Sequence, residues 1–203
     1  VLVNNQADRG GAIDVGVGSM LTTSAVTISK NVAKGSLVTK NAGDGGGIFI
    51  EDGKNIMITN TDFHENHAQR NGGALASIST SGIKIELSTV FSNTAKLDGG
   101  GISFTNSKNV AISKNSICRN LGSKMGGGIA VEMTDISLQN TNLENNIGLT
   151  GGGVFLDAAT LVFTPPSETF VTYEVNVGAM QSNSSETLEV PEDNRISISN
   201  TLL

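Results

Sequence analysis

Gly99-Gly100-Gly101-Ile102-Ser103-Phe104, then Val110-Ala111-Ile112, then Ile117-Cys118-Arg119-Asn120, is one period of this chain. Counted from the first glycine, apolar residues stand at offsets 3 and 5, at 11 and 13, and at 18. Residues two apart share one face of an extended strand. The segment therefore predicts three short strands separated by corners. Gly45–Phe63 repeats it with Ile48 and Ile50, Ile56 and Ile58, and Phe63, and Gly126–Leu143 repeats it with Ile129 and Val131, Ile136 and Leu138, and Leu143.

The glycine anchors are Gly10, Gly45, Gly72, Gly99, Gly126 and Gly151, spaced 35, 27, 27, 27 and 25 residues apart. A period of this size marks a solenoid, a propeller or an array. Three strands per period make each repeat one rung of a β-solenoid. The fold class read from the chain is all-β: a parallel β-solenoid of about 27 residues per rung and about seven rungs.

An apolar residue, two others and Asn close each rung. The motif reads Val1-x-x-Asn4, Phe63-x-x-Asn66, Val90-x-x-Asn93, Ile117-x-x-Asn120 and Leu143-x-x-Asn146. Asn tolerates left-handed backbone and its amide bonds turn backbone, so these residues predict a hydrogen-bonded ladder at one corner.

The whole of 1–203 reads as a single solenoid section. Extra length in the first rung is expected around Gly16–Ala25 and Val32–Val38, giving an elaborated region near 16–38. A second loop is expected near 164–184, where Pro165-Pro166 cannot donate to a central ladder. Taking Ser185 as a substitute anchor puts Leu188 and Val190 at offsets 3 and 5, which makes the tail a further rung. Both ends cut through a rung, so the chain reads as a section of a longer protein or one whose ends are covered by partner subunits.

Composition agrees with a repeated aliphatic core. Only 4% of the residues are aromatic, and 25 of 203 are glycine. Residues 157–203 hold seven acidic side chains and Arg195 alone among bases, while 1–156 are neutral overall. Phosphate binding needs a basic patch, and none is concentrated here, so nucleic acid is not an expected partner. No apolar run reaches the roughly 18 residues of a membrane span. Any secretion signal was removed or lies outside the sequence.

Gly-Gly-Ala-Ile/Leu at Gly10–Ile13 and Gly72–Leu75, with Phe63-His64-Glu65-Asn66 downstream, resembles the repeat of the chlamydial polymorphic outer membrane proteins. The resemblance covers about 150 residues. Four of the six glycine motifs here read Gly-Gly-Gly, and one closing motif has Phe. The resemblance implies a right-handed parallel β-helix, carried as the passenger of an autotransporter and acting as an adhesin or immune-facing surface protein.

Enzyme signatures are incomplete. Asn60-Thr61-Asp62 is similar to the Asn-Thr-Asp motif of polygalacturonase-type hydrolases, but an Asp-Asp pair, Gly-His-Gly and Arg-x-Lys are missing. A calcium-dependent lyase needs acidic residues on one face and a base. Asp44, Glu51-Asp52 and Asp98 are spread over different offsets, and Asn71 and Met125 interrupt the column that Asp44 and Asp98 begin. His64 and His67 are too few for zinc. Cys118 is the one cysteine and is expected to point outward. Asn183-Ser184-Ser185 is a glycosylation sequon.

No catalytic residue, metal site or cofactor is expected. The leading expectation is a non-catalytic extracellular or cell-surface segment, adhesin-like, binding a protein or glycan. The alternative is a building block of an extracellular filament that contacts neighbouring subunits, and a polysaccharide-active enzyme is third.

Overall fold

The computed structural model describes residues 1–38, 40–164 and 188–189. These form four stacked parallel sheets, and no helix is found among the described residues. Following each glycine anchor, the first sheet contains Ile13–Val15, Ile48–Glu51, Leu75–Ile78, Ile102–Thr105, Ile129–Glu132 and Val154–Asp157. The second holds the longest strands, such as Lys54–Thr59, Ser81–Glu86 and Lys108–Ser113. The third comprises Leu2–Val3, Thr27–Ser29, Asp62–His64, Thr89–Phe91, Ser116–Cys118 and Asn142–Glu144. A fourth sheet, which the apolar pattern does not reveal, is built largely from two-residue strands, Gln6–Ala7, Val32–Ala33, His67–Ala68 and Thr94–Ala95 among them. The described residues make about six rungs, three of the sheets having six strands, and the seventh expected rung lies almost wholly outside the described residues.

The register is uniform. Leu75 pairs with Ile48 and Ile102, Ile85 with Ile58 and Ile112, and Val90 with Phe63 and Ile117. Each such column is buried, and together they form one core running the length of the described solenoid. Each fully buried side chain of this kind contributes roughly 1.5–3 kcal/mol of transfer free energy.

Corners explain the polar residues. At three of them a left-handed residue precedes an inward polar one: Ser79 before Thr80, Leu87 before Ser88, and Ser92 before Asn93. Holding an L-residue in that region costs on the order of 1 kcal/mol. The buried polar side chain that follows offsets this by accepting an N–H from the preceding rung, as when Ser88 Oγ accepts from Thr61 N–H at 3.1 Å and Ser107 Oγ from Thr80 N–H at 3.3 Å.

The fourth corner belongs to glycine. Gly72 has φ +66°, and a Cβ on Gly73 would overlap Gly100 O and the Thr94 backbone. The glycine turn and the fourth sheet are therefore in backbone contact, which is why the second glycine recurs while Ala12 and Ala74 fill the third position.

Two expectations about length are corrected. From Ile13 to Ala33 every paired strand residue has its partner 35 positions ahead, as in Ile13 with Ile48, Thr23 with Ile58 and Ala33 with Ala68, so there is no insertion at Gly16–Ala25. All the extra residues lie between Ala33 and Gly45. The tail also falls in a different place: Leu188 pairs with Leu161 in the second sheet, 27 residues on, and not in the first sheet as the Ser185 anchor would require. The expected loop beyond Thr164 and the Asn183 sequon lie outside the described residues.

Candidate functional site

The ladder takes up most of the residues that close the sequence repeat. Asn66, Asn93, Asn120 and Asn146 are buried, and each Oδ1 accepts from the residue one rung earlier. Asn31 belongs to the same column, giving its N–H and Nδ2 to Asn66 Oδ1 at 3.1 and 2.9 Å. Asn4 does not. It is exposed with φ 58°, the position of Lys30 and Glu65, whereas Asn5 donates to Asn31 Oδ1 at 2.9 Å. The motif in the first rung is thus Leu2-x-x-Asn5, and the left-handed residue is the one before the ladder Asn.

Other singled-out residues are also engaged in structure. Thr61 is buried in the second polar column, and Asp62 accepts a hydrogen bond from Thr89 Oγ1 on the outer face. His64 stacks on Phe91, with centroids 4.9 Å apart. His67 bonds Thr94 Oγ1 at 2.6 Å, and burial lowers its pKa. Cys118 is half-buried beside Phe91 on the outside of the third sheet. Among the described residues no group of three or more His, Cys, Asp or Glu is placed to hold a metal ion.

Asp44, Asn71, Asp98 and Met125 do form a column. Asp44 Oδ1 accepts from Asn71 N–H at 3.0 Å, Asn71 Oδ1 from Asp98 N–H at 3.2 Å, and Asp98 Oδ1 from Met125 N–H at 3.0 Å. Asn71, Asp98 and Met125 of this column form one rim of a trough on the outside of the first sheet. Its other rim is Thr105, Glu132 and Asp157, and the enclosed cleft measures about 120 Å³.

Alternation along the strands creates the trough floor. Ile102 and Phe104 point inward, so Ser103 points out, and it stacks in register with Ala76 and Ala130. Phe49 and Phe155 stand at the same strand position on either side of these three small residues. With strands about 4.8 Å apart, the two rings are separated by roughly 19 Å along the axis. Asp98, Glu132 and Asp157 bring three carboxylates to the rims, and no Lys or Arg lines the cleft. Burial raises the pKa of Asp98, an effect that the Met125 N–H and Lys124 oppose.

The insertion after Ala33 reaches one end of this face, where Lys40 and Asn41 bond Glu51. Phe49 is fully buried, with the Arg9 guanidinium 4.7 Å above its ring. Arg9 also bonds Asp14 and Glu51 at 2.8 Å, and Lys40 bonds Glu51 at 2.8 Å.

The apolar offsets do not show Glu132, Asp157 and Phe155, because outward residues follow no hydrophobic rule. Of these, Phe155 alone is marked by size at offset 4 from each anchor, where Phe49 and Phe155 bracket Ala76, Ser103 and Ala130.

A family model described as a right-handed β-helix region matches residues 11–190. The chain belongs to the right-handed β-helix family. No curated protein matches this β-helix, and no solved structure does. No helix among its described residues is long and apolar enough to cross a membrane.

Proposed function

We propose that this right-handed β-helix is a recognition segment of an extracellular or cell-surface protein, adhesin-like in role, holding an elongated protein or glycan partner in the trough of the first sheet. The observation that carries this reading is the column Phe49, Ala76, Ser103, Ala130, Phe155, a recess of small residues between two rings with hydrogen-bonding side chains on both rims. Rigid scaffolds that present a shallow, mixed polar and apolar groove suit recognition. The chlamydial-type resemblance at Gly10–Ile13, Gly72–Leu75 and Phe63–Asn66 supports the surface role.

The chemistry is that of binding. Rim carboxylates and Asn71 accept and donate hydrogen bonds, while an exposed part of Phe155 offers a ring face. Ladder Asn residues and the buried Thr and Ser columns hold the floor fixed, which limits the ordering cost on association.

The test is a glycan and surface-protein array probed with the 203-residue chain and with Ala130→Trp, which fills the trough from outside the core. The expected result is at least tenfold weaker binding by the variant at unchanged melting temperature. Equal binding removes the trough from the reading. Turnover of any polysaccharide on the array, lost in Glu132→Gln or Asp157→Asn, replaces recognition with hydrolysis, for which Asp98, Glu132 and Asp157 are the available carboxylates.

A further inference from the structure

The insertion between Ala33 and Gly45 rejoins the solenoid at Asp44, and that junction is unlike any other corner. Asp44 is 1% exposed, and its Oδ2 is the one buried side-chain polar atom among the described residues without a hydrogen-bond partner. The nearest cation, Arg70 Nη1, stands 3.6 Å from Oδ2, and its own side chain is partly exposed. Asn71, one rung on in the same column, meets the same structural need with a neutral side chain, accepting Asp98 N–H through its Oδ1.

Hydrogen bonds seat residues 40–44 on the neighbouring rungs. Gly43 N–H donates to Asp8 O at 2.6 Å, Arg70 N–H donates to Gly43 O at 2.9 Å, and Arg9 donates to Lys40 O at 3.2 Å. Lys40 and Asn41 reach Glu51 Oε1 at 2.8 and 3.3 Å. Arg9, which holds Lys40 O, itself covers Phe49, the first ring of the trough column. The seat therefore combines a surface ion-pair cluster with one buried acid at its hinge.

We propose that residues 40–44 are a strap held down while Asp44 keeps its proton and released from Arg9 and Glu51, at the Phe49 end of the trough, when Asp44 ionises. An ionised carboxylate oxygen in this position is buried without a hydrogen bond, which is costly. Lifting the strap hydrates it. The strap's movement does not depend on a ligand in the trough.

The surrounding charges set the working window. Burial pushes the Asp44 pKa up to about 6, opposed by Arg70, the Asn71 N–H and Arg9, and reinforced by Asp98. An acid whose pKa is raised in the closed state favours that state at low pH, and the preference is lost as pH rises from the ordinary carboxylate value through about 6. Glu51 acts in the opposite sense. Lys40 and Arg9 hold its pKa down, so its grip on the strap is lost only in stronger acid. The strap is thus most firmly seated in mildly acidic solution, below about 6 and above the range where Glu51 takes up a proton.

The test is hydrogen exchange of peptides covering 34–44, corrected for intrinsic exchange rates, at about pH 5 and about pH 7.5, on either side of the Asp44 transition. In the wild type the opening constant should rise roughly tenfold between the two, from the linkage of a carboxyl that titrates near its ordinary value when open and near 6 when closed. Asp44→Asn, isosteric and matching Asn71 in the same column, should abolish the rise, while Asp98→Asn should keep it. A flat wild-type response, or an unchanged rise in Asp44→Asn, overturns the proposal. Independently, the Asp44 carboxyl carbon resonance should titrate near 6, and a midpoint in the ordinary carboxylate range would also overturn it.

Discussion

Asn93 Oδ1 accepts two hydrogen bonds from Asn66, one from its backbone N–H at 3.0 Å and one from its Nδ2 at 2.9 Å. The same pairing links Asn93 to Asn120 and Asn120 to Asn146. Because every member is buried, no water stands ready to replace a lost partner.

Asn93→Ala should therefore be one of the most damaging single changes to a polar residue. It strips the acceptor from two buried donors of Asn66 and removes a donor from Phe63 O. Each orphaned buried group costs about 1–3 kcal/mol, so a loss of about 3 kcal/mol or more is expected in urea unfolding. Asn4→Ala, on the exposed left-handed position before the ladder, should cost only about 1 kcal/mol. Equal losses would contradict the register given for the first rung.

Glycines within one motif should differ sharply. A Cβ on Gly100 would strike the Leu121 carbonyl carbon and Gly122 N, both backbone. Gly100→Ala should leave little folded protein at physiological temperature, by circular dichroism. Gly101→Ala should fold, since Ala12 and Ala74 occupy that position in other rungs.

Charges on the two faces of one strand should separate cleanly. Ile112 is fully buried and Lys108 is exposed on the same strand. Ile112→Asp should cost more than about 4 kcal/mol, and Lys108→Asp about 0.5 kcal/mol or less. Should Ile112→Asp melt no earlier than Lys108→Asp, Ile112 does not face the core.

Asp44 should also mark the global stability curve. Its raised pKa means that the folded chain loses stability as pH rises from the ordinary carboxylate value through about 6. Asp44→Asn should raise the melting temperature more at about pH 7.5 than at about pH 5, measured by calorimetry. An equal shift at both pH values would mean the carboxylate charge is irrelevant.

The core is legible in the sequence because inward columns must be apolar in every rung. Ile48, Leu75, Ile102, Ile129 and Val154 declare their face by residue type alone. The fourth sheet is hidden for the opposite reason: Ala33, Ala68 and Ala95 lie against the glycine turn, where space is too small for a strong apolar signal. Asn4 reads as a ladder residue because Val1, Leu2 and Val3 are all apolar, so alternation cannot set the phase, and Asn follows Asn. The trough leaves no apolar mark because its floor depends on side-chain size outside the core. Asp44 and Asp98 are visible as residues, but their column requires knowing that Asn71 and Met125 occupy equivalent turns.

The identical 27-residue spacing of Gly72 to Gly99 and of Asn66 to Asn93 has an evolutionary consequence. Excising residues 72–98 would join Asn71 to Gly99 and bring Asn66 into the register of Asn120, with each column still intact. Duplicating the same stretch would do so as well. Unequal recombination can therefore lengthen or shorten such a gene by whole periods, leaving the protein foldable at every step.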